Sequence, residues 1–462
     1  MKRYRFITRF AALILAAGLW TQTGYAQDSS DLEKRLDQLE QEVSVLKRQL
    51  EVKKEDEAAK AKDYPVLTAN AKDGFSVQSP DKSFKLKIGG YTQAGANFFT
   101  DNKKDFSTTD SFLVRTARLT ISGTVYNDYD FYLSPEFAGS SVNLPDAYAD
   151  VHYWPELKLR AGKFKAPFGL ERLQSTPNTE FAELGLPSNL GPNRDFGAQL
   201  FGDLWGGAVS YAVGAFNGVE DLGAATSASG DANNEKDLAA RIFVTPFKYT
   251  DWAFLQGLQG GFATTYGHRE DVNSALPVYK SPGQVNVFSY GSTVSADGPH
   301  VRFSPQLYYS WNSLGILGEY ISSDEELVRK SGTDLVRGNF KNTAWQIEGT
   351  YLLTGEDATY TGVTPRHPFS LSDGTWGAFE LVSRYGELKL DNDIFVRGFA
   401  NPNQSISGER ALAFGLNWYL NKNFKFVLDY ERTKFSGGSY IDGVSDDRKD
   451  ENAILSRFQI VY

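Results

Sequence analysis

Apolar and polar side chains alternate along most of the chain in stretches of roughly ten residues, separated by short polar turns and longer polar loops. The clearest pair of stretches, 412–420 and 424–431, flanks the turn Asn421-Lys422-Asn423. Alternation with a period of two predicts β-strands that have one apolar and one polar face. The same pattern recurs from about Phe84 to the last residue, Tyr462, without a linker that would mark a second core.

The end of the chain distinguishes a membrane barrel from a soluble sandwich, which also alternates. Ile454, Phe458, Ile460 and Tyr462 share one face of the last stretch, and the final residue is aromatic. Outer-membrane proteins commonly end in such a strand, which the barrel-assembly machinery recognises. We therefore predict an all-β transmembrane barrel over 84–462. Its length suits sixteen antiparallel strands, because bacterial single-chain barrels use even numbers, and a barrel of this size encloses an aqueous channel.

The first residues indicate export. Lys2, Arg3, Arg5 and Arg9 precede the apolar stretch 10–20, and Gly24-Tyr25-Ala26 supplies the small residues of a cleavage site. We predict a signal peptide over 1–26. A retained membrane anchor is the alternative, but the apolar stretch is shorter than the roughly 20 residues of a span.

The next segment, 28–62, predicts a periplasmic coiled coil and a tether. Apolar residues alternate at spacings of four and three, with charges in most of the gaps: Leu32, Leu36, Leu39, Val43, Leu46 and Leu50. This is an a/d heptad seam, which a single helix has little means of burying. We expect it to associate with copies of itself, and a homotrimer suits the barrel; a solvated, fraying helix is the alternative. From Glu51 to Asp63 the composition turns to Lys, Glu and Ala, and Pro65 ends any helix.

Composition narrows the function further. The net charge of −9 argues against a nucleic-acid partner. No apolar run of about 18 residues follows the N-terminus, so helical spans are not expected. The four histidines lack metal-ligand spacing and no nucleophile elbow occurs, so we predict no enzyme, no cofactor and no metal site. These histidines are His152, His268, His300 and His367.

Several stretches together resemble the phosphate-selective porin O and P family. They are Gly162-Lys163-Phe164-Lys165-Ala166-Pro167-Phe168-Gly169-Leu170-Glu171, Gly191-Pro192-Asn193-Arg194-Asp195-Phe196-Gly197, Tyr351-Leu352-Leu353-Thr354-Gly355-Glu356, 376–385 and 415–419. The resemblance covers the whole body after about Phe84. It implies a trimeric outer-membrane porin whose third loop folds inward to form a constriction. In the best-known members, Arg and Lys line this constriction and strip water from phosphate.

Candidate pore residues follow from the strand faces and from this resemblance. The inward loop is assigned to 170–193. Five arginines occupy the polar faces of their strands and are predicted to face the lumen: Arg118, Arg241, Arg302, Arg384 and Arg457. Arg172 lies in the loop and Arg194 just after its end. Lys158 and Arg160 share one face and Lys163 and Lys165 the other, so both pairs face the lumen only if a bulge intervenes. We favour Lys163 and Lys165 for the constriction. For any luminal arginine, the alternative is a structural pair with a barrel acid, such as Glu380 beside Arg384.

The chain also departs from the family pattern. Thr116 stands where members often carry the second of two arginines, in Leu113-Val114-Arg115-Thr116-Ala117-Arg118, and the loop contains Glu171, Glu180 and Glu183. We therefore expect diffusion of small hydrophilic solutes, mainly anions such as phosphate, without a tight phosphate site. A structural or partner-binding barrel, tethered by its coiled coil and with an incidental pore, is the alternative function.

Overall fold

The computed structural model describes residues 29–61, 64–70, 74–100, 109–222, 234–272, 276–441 and 444–462. The chain divides into two compact units, Met1–Tyr64 and Pro65–Tyr462. The predicted signal peptide lies outside the described residues. No helix in the described ranges is both long enough and apolar enough to cross a membrane.

The first unit contains one long helix, α1 (Ser29–Ala61). The helix continues through the segment rich in Lys, Glu and Ala, because these residues are strong helix formers. Leu36, Leu39, Val43, Leu46 and Leu50 of the seam are between 48% and 59% exposed. The apolar seam is therefore open to a partner in the single chain, and the coiled coil stays a prediction.

The second unit is built on sixteen antiparallel strands that close into a barrel, as predicted. Each strand pairs with the next along the chain, and the last pairs with the first. In chain order the strands are β1 (Phe84–Phe99), β2 (Ser111–Val125), β3 (Tyr129–Glu136), β4 (Asn143–Trp154), β5 (Leu157–Lys165), β6 (Arg194–Leu204), β7 (Val209–Phe216), β8 (Asp237–Val244), β9 (Leu258–Val272), β10 (Val294–Trp311), β11 (Leu314–Ser331), β12 (Asp334–Leu352), β13 (Ala378–Lys389), β14 (Ile406–Tyr419), β15 (Phe424–Ile441) and β16 (Glu451–Val461).

Smaller elements decorate the barrel. Strands Val66–Asn70 and Gly74–Gln78 form a hairpin whose second strand pairs with the start of β1. Strands Val278–Lys280 and Asn286–Ser289 form a separate hairpin, and Val444–Asp447 pairs with the end of β15. The short helices are α2 (Leu170–Leu173) and α3 (Asp393–Val396), and the 3-10 turns are Thr176–Asn178, Leu186–Leu190 and Trp205–Gly207.

The strand faces follow the sequence pattern. In β10, Arg302, Ser304 and Gln306 are buried, whereas Val301 and Phe303 are exposed on the opposite face. The same alternation holds for the polar and apolar positions of β13 to β16. A barrel in lipid requires this inverted arrangement, since its outer surface meets hydrocarbon and its inner surface meets water.

The barrel closes through the last residue. The N–H of Tyr462 donates to the carbonyl of Gly90 at 2.9 Å, and the N–H of Gly90 donates to the carbonyl of Tyr462 at 2.8 Å. A Cβ atom at position 90 would lie 2.2 Å from the carbonyl oxygen of Arg118. Glycine therefore permits the close approach of β1, β2 and the chain end at the closure point.

Connections alternate between two rims. The rim that holds the start of β1 and the end of β16 also carries 126–128, 155–156, 205–208, 245–257, 312–313, 353–377 and 420–423; the opposite rim carries the remaining connections. Short turns face the periplasm in outer-membrane barrels, which makes the first the periplasmic rim. Two connections depart from this pattern of lengths. On the periplasmic rim 353–377 is long, and on the external rim Gly332-Thr333 is short. The third external connection, 166–193, is called the third loop below.

Candidate functional site: a basic constriction in the barrel

The third loop folds into the barrel, as predicted, and it is fixed to the wall formed by β11 to β16. The Arg384 guanidinium on β13 binds Glu171 of the loop at 3.1 Å and Glu431 of β15 at 2.9 Å. The Lys425 amine donates to the carbonyl of Thr179 at 2.9 Å, and the loop N–H of Ala182 donates to Asp429 at 2.7 Å. Glu171 of the loop thus serves its attachment to one side of the barrel.

Arg457 and Glu180 strengthen the same attachment. The guanidinium of Arg457 donates to the carbonyls of Thr179 and Ala182 at 2.9 and 3.3 Å. A carboxylate oxygen of Glu180 accepts hydrogen bonds from Asn417 and Tyr419 at 3.2 and 3.0 Å. Open space is left between the loop and the opposite wall, β1 to β8.

Two cavities occupy that space. One, of about 430 Å³, lies toward the periplasmic rim and is bounded by residues such as Asp203 and Ser210. The other, of about 480 Å³, lies toward the external rim and reaches Val278 and Leu222. The same four residues line both cavities: Arg118, Lys165, Thr176 and Arg194. We call these four residues the constriction ring, because the two cavities meet there.

The two arginines of the ring are held by carboxylates of strands β3 and β4. Nε of Arg194 lies 3.0 Å from Oδ1 of Asp146, and Nη1 of Arg118 lies 3.8 Å from the other oxygen of the same carboxylate. Nε of Arg118 is also 3.2 Å from Glu136. Glu136 and Asp146 therefore fix the positions of the two guanidiniums in the wall.

Lys165 differs from these arginines in its partners. Its amine donates to the carbonyls of Arg172 and Gln174, at 2.6 and 2.7 Å, where the third loop begins. Among the described residues, no carboxylate lies within 4.0 Å of this amine. Carbonyl dipoles orient the amine, and no carboxylate of the described residues pairs with it, so a protonated Lys165 adds positive charge to the ring.

Other predicted cations also contact neutral oxygens. Nη2 of Arg172 donates to the carbonyl of Ser188 at 2.5 Å, and Nε of Arg241 donates to the side-chain oxygen of Gln306 at 2.9 Å. Burial, with repulsion from Arg194, lowers the pKa of Arg172 to about 10, so it remains a cation at neutral pH. Arg172 lines the external cavity and Arg241 the periplasmic one.

Arg302 and Arg384 do not line the two main cavities. Arg302 points inward, as its strand position predicted, but it is fully buried with its Nε 2.6 Å from Asp221. Arg384 is paired with Glu171 and Glu431, and the suggested partner Glu380 instead accepts hydrogen bonds from Asn417 and Tyr419. Both guanidiniums are held in ion pairs, away from the two main cavities, so neither is placed at the constriction ring.

Lys163 is also away from both cavities. It pairs across the sheet with Ala147 and Phe196, on the face opposite to that of Arg160, and is 7% exposed. Its amine lies 5.6 Å from the centre of the Phe196 ring. Of the two lysines favoured for the constriction, only Lys165 is placed there, because the end of β5 turns into the third loop.

Sequence reasoning missed three cations that line the cavities: Arg115, Arg160 and Lys280. Arg115 is the extra residue of a β-bulge in β2, where Gln93 pairs with Thr116 and Ala94 with Val114. The bulge turns Arg115 toward the third loop, and its Nε lies 2.6 Å from Glu183. Arg160 shares a strand face with Lys158, and this pair is the one weighed against Lys163 and Lys165 for the lumen.

The family profile of the phosphate-selective porin O and P family matches residues 86–275 and 283–462. The chain belongs to this family. It is an outer-membrane porin, as its strand pattern predicted. It is 23% identical to Porin O of Pseudomonas aeruginosa over 431 residues, which cover 86% of this chain and 92% of that protein.

Solved structures that resemble this porin share its fold. The outer membrane channel DcaP of Acinetobacter baumannii superposes with a TM-score of 0.51 at 15% identity, covering 83% of this chain and 99% of the channel. An anion-selective porin from Comamonas acidovorans gives a TM-score of 0.51 at 10% identity, covering 82% of this chain and all of that chain. Similarity at these identities concerns the architecture alone.

Proposed function

We propose that this porin passes small hydrophilic anions, phosphate among them, by diffusion through the two cavities and the constriction ring. The charge of the lining carries the proposal. Among the described residues, nine Arg and Lys side chains but only three carboxylates line the two cavities. Fixed cations at a narrow, poorly hydrated point favour anions and repel cations. The family name and the Comamonas porin support the same preference.

A tight phosphate site is not part of the proposal. Glu136 and Asp146 already occupy the guanidiniums of Arg118 and Arg194, so neither presents a free planar fork to a phosphate. Lys165 has an ammonium group, which attracts anions as a point charge without selecting a planar arrangement of oxygens. A weak and general preference for anions follows from this arrangement of charges.

Reversal potential measured in a planar bilayer tests this function. With purified porin in a KCl gradient, we expect a potential of the sign given by chloride, and inorganic phosphate should reduce the chloride current only partly. A cation-selective channel would contradict the proposal. Complete block by low phosphate would contradict the absence of a tight site.

The assembly is proposed on separate grounds. The open apolar seam of α1 supports a coiled coil in the periplasm, with the porin as a homotrimer. The cleaved signal peptide over 1–26 and recognition of the strand that ends at Tyr462 by the barrel-assembly machinery belong to the same proposal. Cross-linking of the membrane-embedded porin, followed by electrophoresis, should give a trimer band.

The open seam also favours a second role, in which α1 binds a periplasmic partner and the pore is incidental. Single-channel recordings separate the two roles. Stepwise currents support transport, whereas a silent bilayer with correctly folded barrels supports the structural role.

A further inference from the structure

A buried cluster outside the constriction brings together one imidazole and two carboxylates. Glu220 lies in the connection between β7 and β8, while His300 of β10 and Glu325 of β11 are directly opposite each other in the sheet. One ligand atom from each of the three side chains lies within 4.8 Å of the others. The sequence predicts no metal site, because the four histidines lack metal-ligand spacing; only His300 among them belongs to this cluster.

The atoms that face one another in this cluster lack hydrogen-bond partners. Oε2 of Glu220, Nδ1 of His300 and Oε1 of Glu325 are each buried and unsatisfied. The residues are 9%, 0% and 4% exposed. Buried polar atoms are normally hydrogen-bonded, because an unpaired one costs about 1–3 kcal/mol. Three such atoms within 4.8 Å of one another suit a shared electrophilic ligand.

The surroundings of the His300 ring suit a ligand role. Its Nε2 lies 2.8 Å from the hydroxyl of Ser323 and 3.5 Å from Asp221. A metal-bound histidine usually uses its second ring nitrogen to bind a carboxylate or another polar group, which fixes the orientation of the ring. Nδ1 is then left to donate its lone pair toward the two glutamates.

Charge balance gives a second, independent argument. Four carboxyl groups lie in this region, those of Glu220, Asp221, Asp237 and Glu325, against two guanidiniums. Arg269 binds Asp237 at 2.7 Å and Glu220 at 3.2 Å, and Arg302 binds Asp221 at 2.6 Å. With all four carboxyl groups ionised, two negative charges would remain in a buried site, where an unpaired charge is strongly unfavourable. A divalent cation would neutralise them.

The distances suit a small transition-metal ion. Nδ1 of His300 is 3.2 Å from Oε1 of Glu325 and 3.8 Å from Oε2 of Glu220. Ligand atoms bound tetrahedrally to zinc at about 2.1 Å are roughly 3.4 Å apart. Mixed nitrogen and oxygen ligands favour zinc-like ions over calcium or magnesium, which prefer oxygen alone.

We propose that Glu220, His300 and Glu325 bind a divalent zinc-like metal ion that joins the connection after β7 to the barrel wall. Two residues further along this connection, Leu222 lines the external cavity. The ion therefore holds the backbone beside the entrance to the constriction, without contacting the solute path. This site is independent of the anion preference proposed above.

Metal content of the full-length porin tests the site. The protein is produced without a histidine tag, refolded in detergent with EDTA, and then equilibrated with Zn²⁺ alone. We expect one zinc per chain after gel filtration. Co²⁺ in its place should give the visible absorption of a low-symmetry, four-coordinate site, which surface carboxylates do not give.

Three variants locate the binding. Glu220→Gln changes a connection and leaves the wall strands intact, so it should fold, and His300→Gln removes the nitrogen ligand. Loss of one direct ligand should weaken Zn²⁺ binding by about 100-fold. Mutation of a residue that only supports a metal ligand typically costs about 10- to 100-fold, and loss of the ligand itself should cost at least as much. Glu409→Gln is the matched control, because Glu409 is another buried glutamate with unsatisfied oxygens, outside the cluster.

Two results would overturn the proposal. One is the absence of stoichiometric zinc in folded wild-type porin, which would mean that Glu220 and Glu325 share a proton instead. The other is Glu220→Gln porin that binds zinc as tightly as the control. Heat-dependent electrophoretic mobility establishes that each barrel is folded before binding is measured.

Discussion

Reversing the charge of Lys165 should lower the preference of the porin for anions. Its amine belongs to both cavities and contacts only carbonyl oxygens among the described residues, so its charge acts directly on a passing ion. Lys165→Glu replaces the amine, which is positively charged when protonated, by a carboxylate. Lys163→Glu makes the same change two positions earlier on β5, away from both cavities, and is the matched control.

The size of the effect follows from Coulomb's law. In bulk water, two unit charges about 5 Å apart interact by ~0.8 kcal/mol, so changing the sign of one shifts the energy of an ion by ~1.7 kcal/mol. The shift is opposite for anions and cations, which doubles its effect on their ratio, and ~0.1 M salt reduces the total to roughly 2 kcal/mol. The preference for anions over cations should therefore fall by roughly 30-fold.

Reversal potentials in a KCl gradient measure this ratio. We expect Lys165→Glu to move the potential toward that of a cation-selective channel, more strongly at low ionic strength. Lys163→Glu should keep the wild-type potential. The assignment of Lys165 to the constriction is wrong if its charge reversal leaves the potential unchanged, or if the control shifts as much.

Three further expectations concern other parts of the molecule. Arg384→Met removes the partner of two buried carboxylates at a cost of about 3–5 kcal/mol, so the third loop should loosen, with larger and noisier single-channel currents and faster cleavage of the loop by trypsin. Deletion of 28–62 should leave conductance intact while reducing cross-linked trimer, and abolished channels would contradict a purely periplasmic role. Removal of Tyr462 should reduce the heat-modifiable barrel recovered from membranes, because the residue exchanges two backbone hydrogen bonds with Gly90; normal recovery would argue against its role in closure.

The barrel could be predicted from the sequence because one rule governs every strand. Lipid outside and water inside impose a period of two, so the inward direction of Arg118, Arg241 and Arg302 follows from their positions alone. The rule fails where a strand departs from regular pairing. Arg115 sits at a bulge, and Lys165 lies where β5 gives way to the third loop, so neither side chain follows strict alternation.

Whether each charged side chain is paired with an opposite charge could not be predicted from the strand pattern. Arg302 and Arg241 both point inward, yet Arg302 pairs with Asp221 of a distant connection, while Arg241 contacts the neutral side chain of Gln306. Such partners come together only after the barrel closes and its loops fold inward. Direction is thus a local property of the strand, whereas net charge in the pore depends on contacts between remote segments.

The acidic residues of the third loop show why that difference matters. By composition, Glu171, Glu180 and Glu183 argue against an anion path. In the structure, Glu171 binds Arg384, and Glu180 accepts hydrogen bonds from Asn417 and Tyr419. Both carboxylates therefore attach the loop to the wall instead of facing the solute path. Only Glu183 lines a cavity, and there it pairs with Arg115. The loop therefore adds cations such as Arg172 to the path while its carboxylates face away or are paired, and the selectivity of such a barrel depends on which charges the anchoring leaves unpaired.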